Sequence, residues 1–136
     1  MLTKESTEAF YRDWLKLLDS LAPPDAYRKY LVDGPFAEWT YPGMKIADQE
    51  ALETYAKATW GNIVEQSNTV ESLEVTPGGD GTFTAVGKIH WQATMKGDQK
   101  VDRRFVFTLK LGSGTSKLDP AGEHPKVLRY TWQLAP

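Results

Sequence analysis

No cysteine occurs anywhere in the 136 residues, which removes disulfides and thiol chemistry and fits a reducing compartment. Histidine is nearly as scarce, with only His90 and His124. Basic residues are not clustered and the formal net charge is −2, so neither nucleic acid nor an anionic membrane surface is an expected partner. The start, MLTKESTEAF, lacks the basic-then-apolar pattern of a signal segment, and no apolar run approaches a membrane span. The expected compartment is the cytoplasm. No His/Asp/Glu group has metal-ligand spacing, so no metal and no cofactor is expected.

What is present is apolar and aromatic. Forty per cent of residues are apolar, with five Trp and six Tyr, which argues against disorder. The length corresponds to one domain, residues 1–136, able to bury a core. The chain is organised around Thr82 to Leu111. In Phe83–Met95 the apolar residues Phe83, Ala85, Ile89, Trp91, Ala93 and Met95 alternate with Thr84, Lys88, His90, Gln92 and Thr94. That period of two marks a strand with one buried face. Val101, Arg103, Phe105, Phe107, Leu109 and Leu111 repeat it. Lys96-Gly97-Asp98 joins the two strands as a tight turn. Each arm would reach about 40 Å if straight, beyond ordinary strands, so the sheet must curl. Gly87 tolerates the bend.

A first helix is expected from the cap Thr3, with an apolar stripe of Phe10, Trp14, Leu17, Leu18 and Leu21, ended by Pro23-Pro24. A second short helix is read over 25–32, then a strand over 36–41 closed by Pro42-Gly43. Asp48 caps a third helix carrying Leu52, Tyr55, Ala56 and Thr59, which ends near Gly61-Asn62. Residues 63–75 form a strand whose alternation slips near Glu71-Ser72, as a bulge would cause. After the hairpin, a polar loop over 112–125 leads to a closing strand over 126–134. Helices gathered against a curled, mostly antiparallel sheet make an α+β fold.

The run Trp39-Thr40-Tyr41-Pro42-Gly43, the capped helix start Asp48-Gln49-Glu50-Ala51-Leu52 and the closing Val127-Leu128-Arg129-Tyr130-Thr131-Trp132 together resemble the nuclear transport factor 2-like superfamily. The resemblance covers the whole chain. It implies a cone-shaped sheet with three N-terminal helices packed on its concave face and a hydrophobic pocket at the mouth. It also implies a homodimer through the outer sheet face. The superfamily includes ketosteroid isomerases, SnoaL-like polyketide cyclases, scytalone dehydratase, limonene epoxide hydrolase and non-catalytic modules.

Its catalytic groups do not carry over whole. The isomerase aspartate before a proline corresponds to Tyr41, and its acidic oxyanion donor falls among Phe105, Val106 and Phe107. The helix-one tyrosine falls near Trp14, with Tyr11 one turn earlier. Lys88 and His90 stand where the epoxide hydrolase pattern needs acids, and His90 and His124 cannot form the dehydratase's histidine pair.

Two readings follow. In the first, the domain binds an apolar, aromatic or polycyclic small molecule, lined by Trp14, Trp39, Ile89, Trp91, Phe105, Phe107, Tyr130 and Trp132. If it is an enzyme, it is a cofactor-independent isomerase, cyclase or dehydratase in which Tyr11, Tyr41 and Arg103 steer protons or stabilise an oxyanion. Arg103 shares parity with Phe105 and so points inward, needing Glu38, Asp13 or an anionic ligand as partner. In the second reading the module is non-catalytic, with a vestigial pocket and a face for assembly. His90 opposes Ile89 and Trp91 in parity, which puts it on the outer face.

Overall fold

The computed structural model describes residues 2–136, and the long hairpin is its centre. Strands β4 (Phe83–Met95) and β5 (Lys100–Gly112) pair antiparallel from Phe83↔Leu111 to Thr94↔Lys100. Gly97 and Asp98 both take positive φ at the turn, 87° and 62°, as the twist of a tight hairpin requires. Ala85, Ile89, Phe105, Phe107, Leu109 and Leu111 are buried on the inner face. Gly87 marks a close approach between strands. A Cβ there would stand 1.9 Å from the Ser72 carbonyl oxygen, next to the bulge between Val70 and Ser72. That bulge coincides with the slip in sequence alternation and bends the sheet at this point.

Around the hairpin lie α1 (Lys4–Asp19), β1 (Glu38–Tyr41), β2 (Met44–Lys45), α2 (Gln49–Ala58), β3 (Ile63–Pro77) and β6 (Lys126–Leu134). Thr3 and Ser6 form a reciprocal cap for α1, and the Asp48 carboxylate accepts the Ala51 N–H to start α2. The six strands run in the order β2-β1-β6-β5-β4-β3. All pairs are antiparallel except β1 with β6, which is parallel, Trp39 opposite Tyr130. The sheet is therefore mixed, and β1 reaches it only through the chain's last strand.

Two features differ from the sequence reading. The expected second helix is a pair of single 3-10 turns, Pro24–Ala26 and Arg28–Tyr30. Between Pro24 and the extended Leu31 the span is too short to repay helix nucleation, and Tyr27 and Leu31 anchor it to the core instead. The second difference is β2, two residues folded back on β1 at the Pro42-Gly43 turn, with Gly43 at φ 74°.

The polar loop after β5 is tied down from inside. Asp119, 4% exposed, accepts Lys126 Nζ at 2.6 Å and the backbone N–H groups of Glu123 and His124 at 2.9 Å each. Lys126, 1% exposed, also donates to the His124 carbonyl. These bonds satisfy a charge pair that burial would otherwise penalise. Among the described residues no helix is long and apolar enough to cross a membrane.

Candidate functional site at the mouth of the cone

The closed end of the cone is filled. Tyr11 stacks on Phe107 with ring centroids 4.3 Å apart, and its hydroxyl lies 3.1 Å from that of Tyr130. Trp14 packs between Tyr27, Trp39 and Tyr130 at 5.1, 5.6 and 5.9 Å. Burial pushes the pKa of both Tyr11 and Tyr130 well above the ordinary tyrosine value, so their hydroxyls stay protonated.

At the mouth the packing opens into a cavity of about 150 Å³. Its wall is a succession of aromatic rings from six parts of the fold. Trp91 on β4 meets Phe105 on β5 at 6.1 Å, and Phe105 meets Trp132 on β6 at 5.0 Å. Trp132 meets Tyr41 on β1 edge-on at 5.4 Å, and Tyr41 stacks on Tyr55 of α2 at 5.5 Å and 15°. Tyr55 then meets Trp60, in the 3-10 turn after α2, at 5.6 Å. Leu18, Pro42 and Ile63 fill the gaps between rings.

The polar groups in this wall are uncharged: Tyr41, Tyr55, Thr59, Gln66 and Asn68. Gln66 is engaged at both ends, accepting Trp91 Nε1–H at 2.7 Å and donating to the Leu18 carbonyl. Asn68 donates Nδ2–H to Asp19 Oδ1 at 2.7 Å. Asp19 sits behind the wall, where burial raises its pKa despite the Asn68 bond. Burial also raises Tyr41 well above the usual tyrosine range and pushes Tyr55 up to about 12.

Of the residues singled out from sequence, Tyr41, Trp91, Phe105 and Trp132 stand in this wall. Tyr11, Trp14, Trp39, Ile89, Phe107 and Tyr130 do not; they are sealed in the core, each at most 1% exposed. Helical stripe and strand parity assigned them an inward face, but neither pattern carries depth along a cone.

Arg103 is corrected more sharply. It is exposed, outside the cavity wall, and donates to the Asp102 carbonyl at 2.9 Å rather than to Glu38 or Asp13. Strand β6 ends at Leu134, opposite Phe105, so the stretch of β5 before Phe105 pairs with β4 but has no β6 neighbour. Its nominally inner face there is open to water.

His90 is on the outer face, its Nε2 2.7 Å from Asp102 Oδ1, and that bond holds the Asp102 carboxyl below its usual range.

Sequence reasoning missed Tyr55 and Trp60 as wall residues. Tyr55 shared the apolar face of its helix with Leu52 and Ala56, which was the available signal; Trp60 lay beyond the periodic stretch. The structure also brings Asp119, Glu123 and His124 within 4.8 Å of one another by their possible ligand atoms. Asp119 already receives Lys126 and two backbone N–H groups, so this group acts as a loop clasp.

No protein-family model matches the chain, and no curated protein matches it. Solved structures do. A nuclear transport factor 2-like superfamily protein from Salmonella enterica serovar Typhimurium superposes with a TM-score of 0.82 at 9% identity, covering 98% of this chain and 91% of that one. The chain has the nuclear transport factor 2-like fold. Hexachlorocyclohexane dehydrochlorinase LinA-type3 from Novosphingobium barchaimii shares it at TM-score 0.72 and 17% identity, covering 93% of this chain and 82% of that one. An uncharacterized protein with a cystatin-like fold from Caulobacter vibrioides does so at 0.73 and 12%, covering 97% and 89%. At these identities the likeness concerns the nuclear transport factor 2-like fold alone.

Proposed function

We propose that this domain binds a small apolar or aromatic molecule at the mouth of its cone. The observation that carries the reading is the aromatic girdle from Trp91 to Trp60 around a cavity of about 150 Å³. Flat rings supply contact area with little rotamer entropy to lose, and a few hydroxyls fix orientation. A cavity of that size takes a single ring; roughly 150 Å³ is what benzene occupies in an engineered apolar cavity. A polycyclic substrate therefore fits poorly. The structural relative named for hexachlorocyclohexane, itself a single six-membered ring, is consistent with this scale.

Catalysis, as a cofactor-independent isomerase, cyclase or dehydratase, has Tyr41 as its supporting residue. A general base is the missing part. No carboxylate, imidazole or amine lines the cavity among the described residues, and a hydroxyl with a raised pKa donates protons poorly and accepts them only as a neutral oxygen. The binding reading is therefore the stronger one. In the alternative, a non-catalytic module, the outer face carrying Val86, His90 and Thr108 pairs two copies.

A filling substitution tests the pocket. Ile63→Phe puts a ring into the cavity from the start of β3. Saturation-transfer NMR with a mixture of toluene, anisole and chlorobenzene is expected to give signals with the parent protein and to lose most of them with the variant. Equal signals from both would place the ligands elsewhere and defeat the proposal.

A further inference from the structure

Resting on that binding reading, we infer that the stacked pair Tyr41 and Tyr55 forms a two-donor site for one hydrogen-bond acceptor on a neutral, single-ring ligand. A ring-attached carbonyl is the chemical class it fits. The argument begins with what else in the wall could hold a polar group. The Gln66 amide is used at both ends, by Trp91 and by the Leu18 carbonyl. The Asn68 Nδ2 is used by Asp19, and its Oδ1 is buried out of reach of solvent. The Trp132 Nε1 is likewise buried out of reach of solvent, which leaves the hydroxyls of Tyr41, Tyr55 and Thr59.

Tyr41 closes β1 just before Pro42, and Tyr55 lies on the inward face of α2. Their rings stack at 5.5 Å and 15° in the wall of one cavity, so both phenols belong to the same part of that wall. Among the described residues neither O–H has a protein acceptor to donate to. The raised pKa of both groups keeps those protons on at any ordinary pH. The site thus offers donors and asks for an acceptor.

Charge narrows the class further. None of the twelve side chains in the wall is ionised, so a carboxylate or ammonium ligand would enter without a partner and lose its hydration. A neutral carbonyl loses far less and gains two O–H donors.

Three probes of the same shape separate these points: acetophenone, its alkene counterpart α-methylstyrene, and benzoate. Dissociation constants are measured by ligand-observed NMR on the parent and on a Tyr41→Phe/Tyr55→Phe double variant, whose rings are retained. Acetophenone is expected to bind the parent about tenfold tighter than α-methylstyrene, the worth of one to two net hydrogen bonds. The double variant is expected to lose that preference, binding acetophenone no tighter than α-methylstyrene, and benzoate should bind neither protein. Equal affinity of the parent for acetophenone and α-methylstyrene overturns the donor site while leaving the pocket reading intact. Tighter binding of benzoate than of acetophenone overturns the neutral class. Failure of all three to bind defeats the pocket reading itself and this inference with it.

Discussion

Gly87 is the residue on which the curl of the sheet depends most directly. It lies inside a strand, where glycine ordinarily weakens pairing, yet no other residue fits. A Cβ at this position meets the Ser72 carbonyl oxygen at 1.9 Å and the Phe107 ring at 3.0 Å. The backbone oxygen belongs to the bulge and cannot rotate away. Gly87→Ala is therefore expected to cost about 3 kcal/mol or more, read by urea denaturation. A loss under about 1 kcal/mol would mean that the bulge relaxes freely. The sequence already marked this glycine as the place for a bend, because it interrupts an otherwise unbroken alternation. It did not mark Arg103 correctly. Parity assigned the side chain to the inner face, but where β6 stops determines whether that face is covered.

At the scale of elements, the segment between β5 and β6 shows how a polar stretch can be rigid. In sequence it is a loop rich in Gly and Ser; in the fold Asp119 collects an ammonium and two backbone N–H groups within it. These contacts, the Lys126 bond first, lower the Asp119 pKa from 3.8 to about 2. A depressed carboxylate contributes stability that is full above its unfolded pKa and is lost as pH falls through its folded one. Asp119→Asn is thus expected to lower Tm by roughly 10 °C at pH 7, with the gap to the parent narrowing as pH falls from about 4 toward 2. A gap constant over that range would deny the clasp its charge. The helices α1 and α2 were legible from their caps, Thr3 and Asp48, and from their apolar stripes. The 3-10 turns after Pro23 were not, because tertiary anchoring of Tyr27 and Leu31, rather than local propensity, decides their form.

For the whole molecule, period and turn chemistry were enough to reach the α+β cone, since each long strand announces its buried face. The site was only half legible. Tyr41, Trp91, Phe105 and Trp132 were reachable from strand parity and turn position. Tyr55 and Trp60 enter the wall through tertiary contacts, Tyr55 stacking on Tyr41 and meeting Trp60, which no local pattern encodes. Depth was the other missing coordinate: Trp14 and Trp39 share the aromatic character of Trp91 and Trp132 but lie in the sealed end. If the outer face pairs two copies, light scattering at micromolar concentration is expected to give twice the 15.3 kDa chain mass. A monomer at that concentration would remove the assembly role from that face.

The central claim, an open aromatic pocket at the mouth of a filled cone, makes the five tryptophans its own reporters. Three of them, Trp60, Trp91 and Trp132, line the cavity, and two, Trp14 and Trp39, are fully buried away from it. Their indole N–H groups give separate signals in a nitrogen-15 correlation spectrum. Titration with acetophenone or, should the carbonyl prove irrelevant, with toluene is predicted to move the Trp60, Trp91 and Trp132 indole signals while leaving Trp14 and Trp39 in place. Movement confined to Trp14 and Trp39, or no movement of any indole at millimolar probe, would contradict the account.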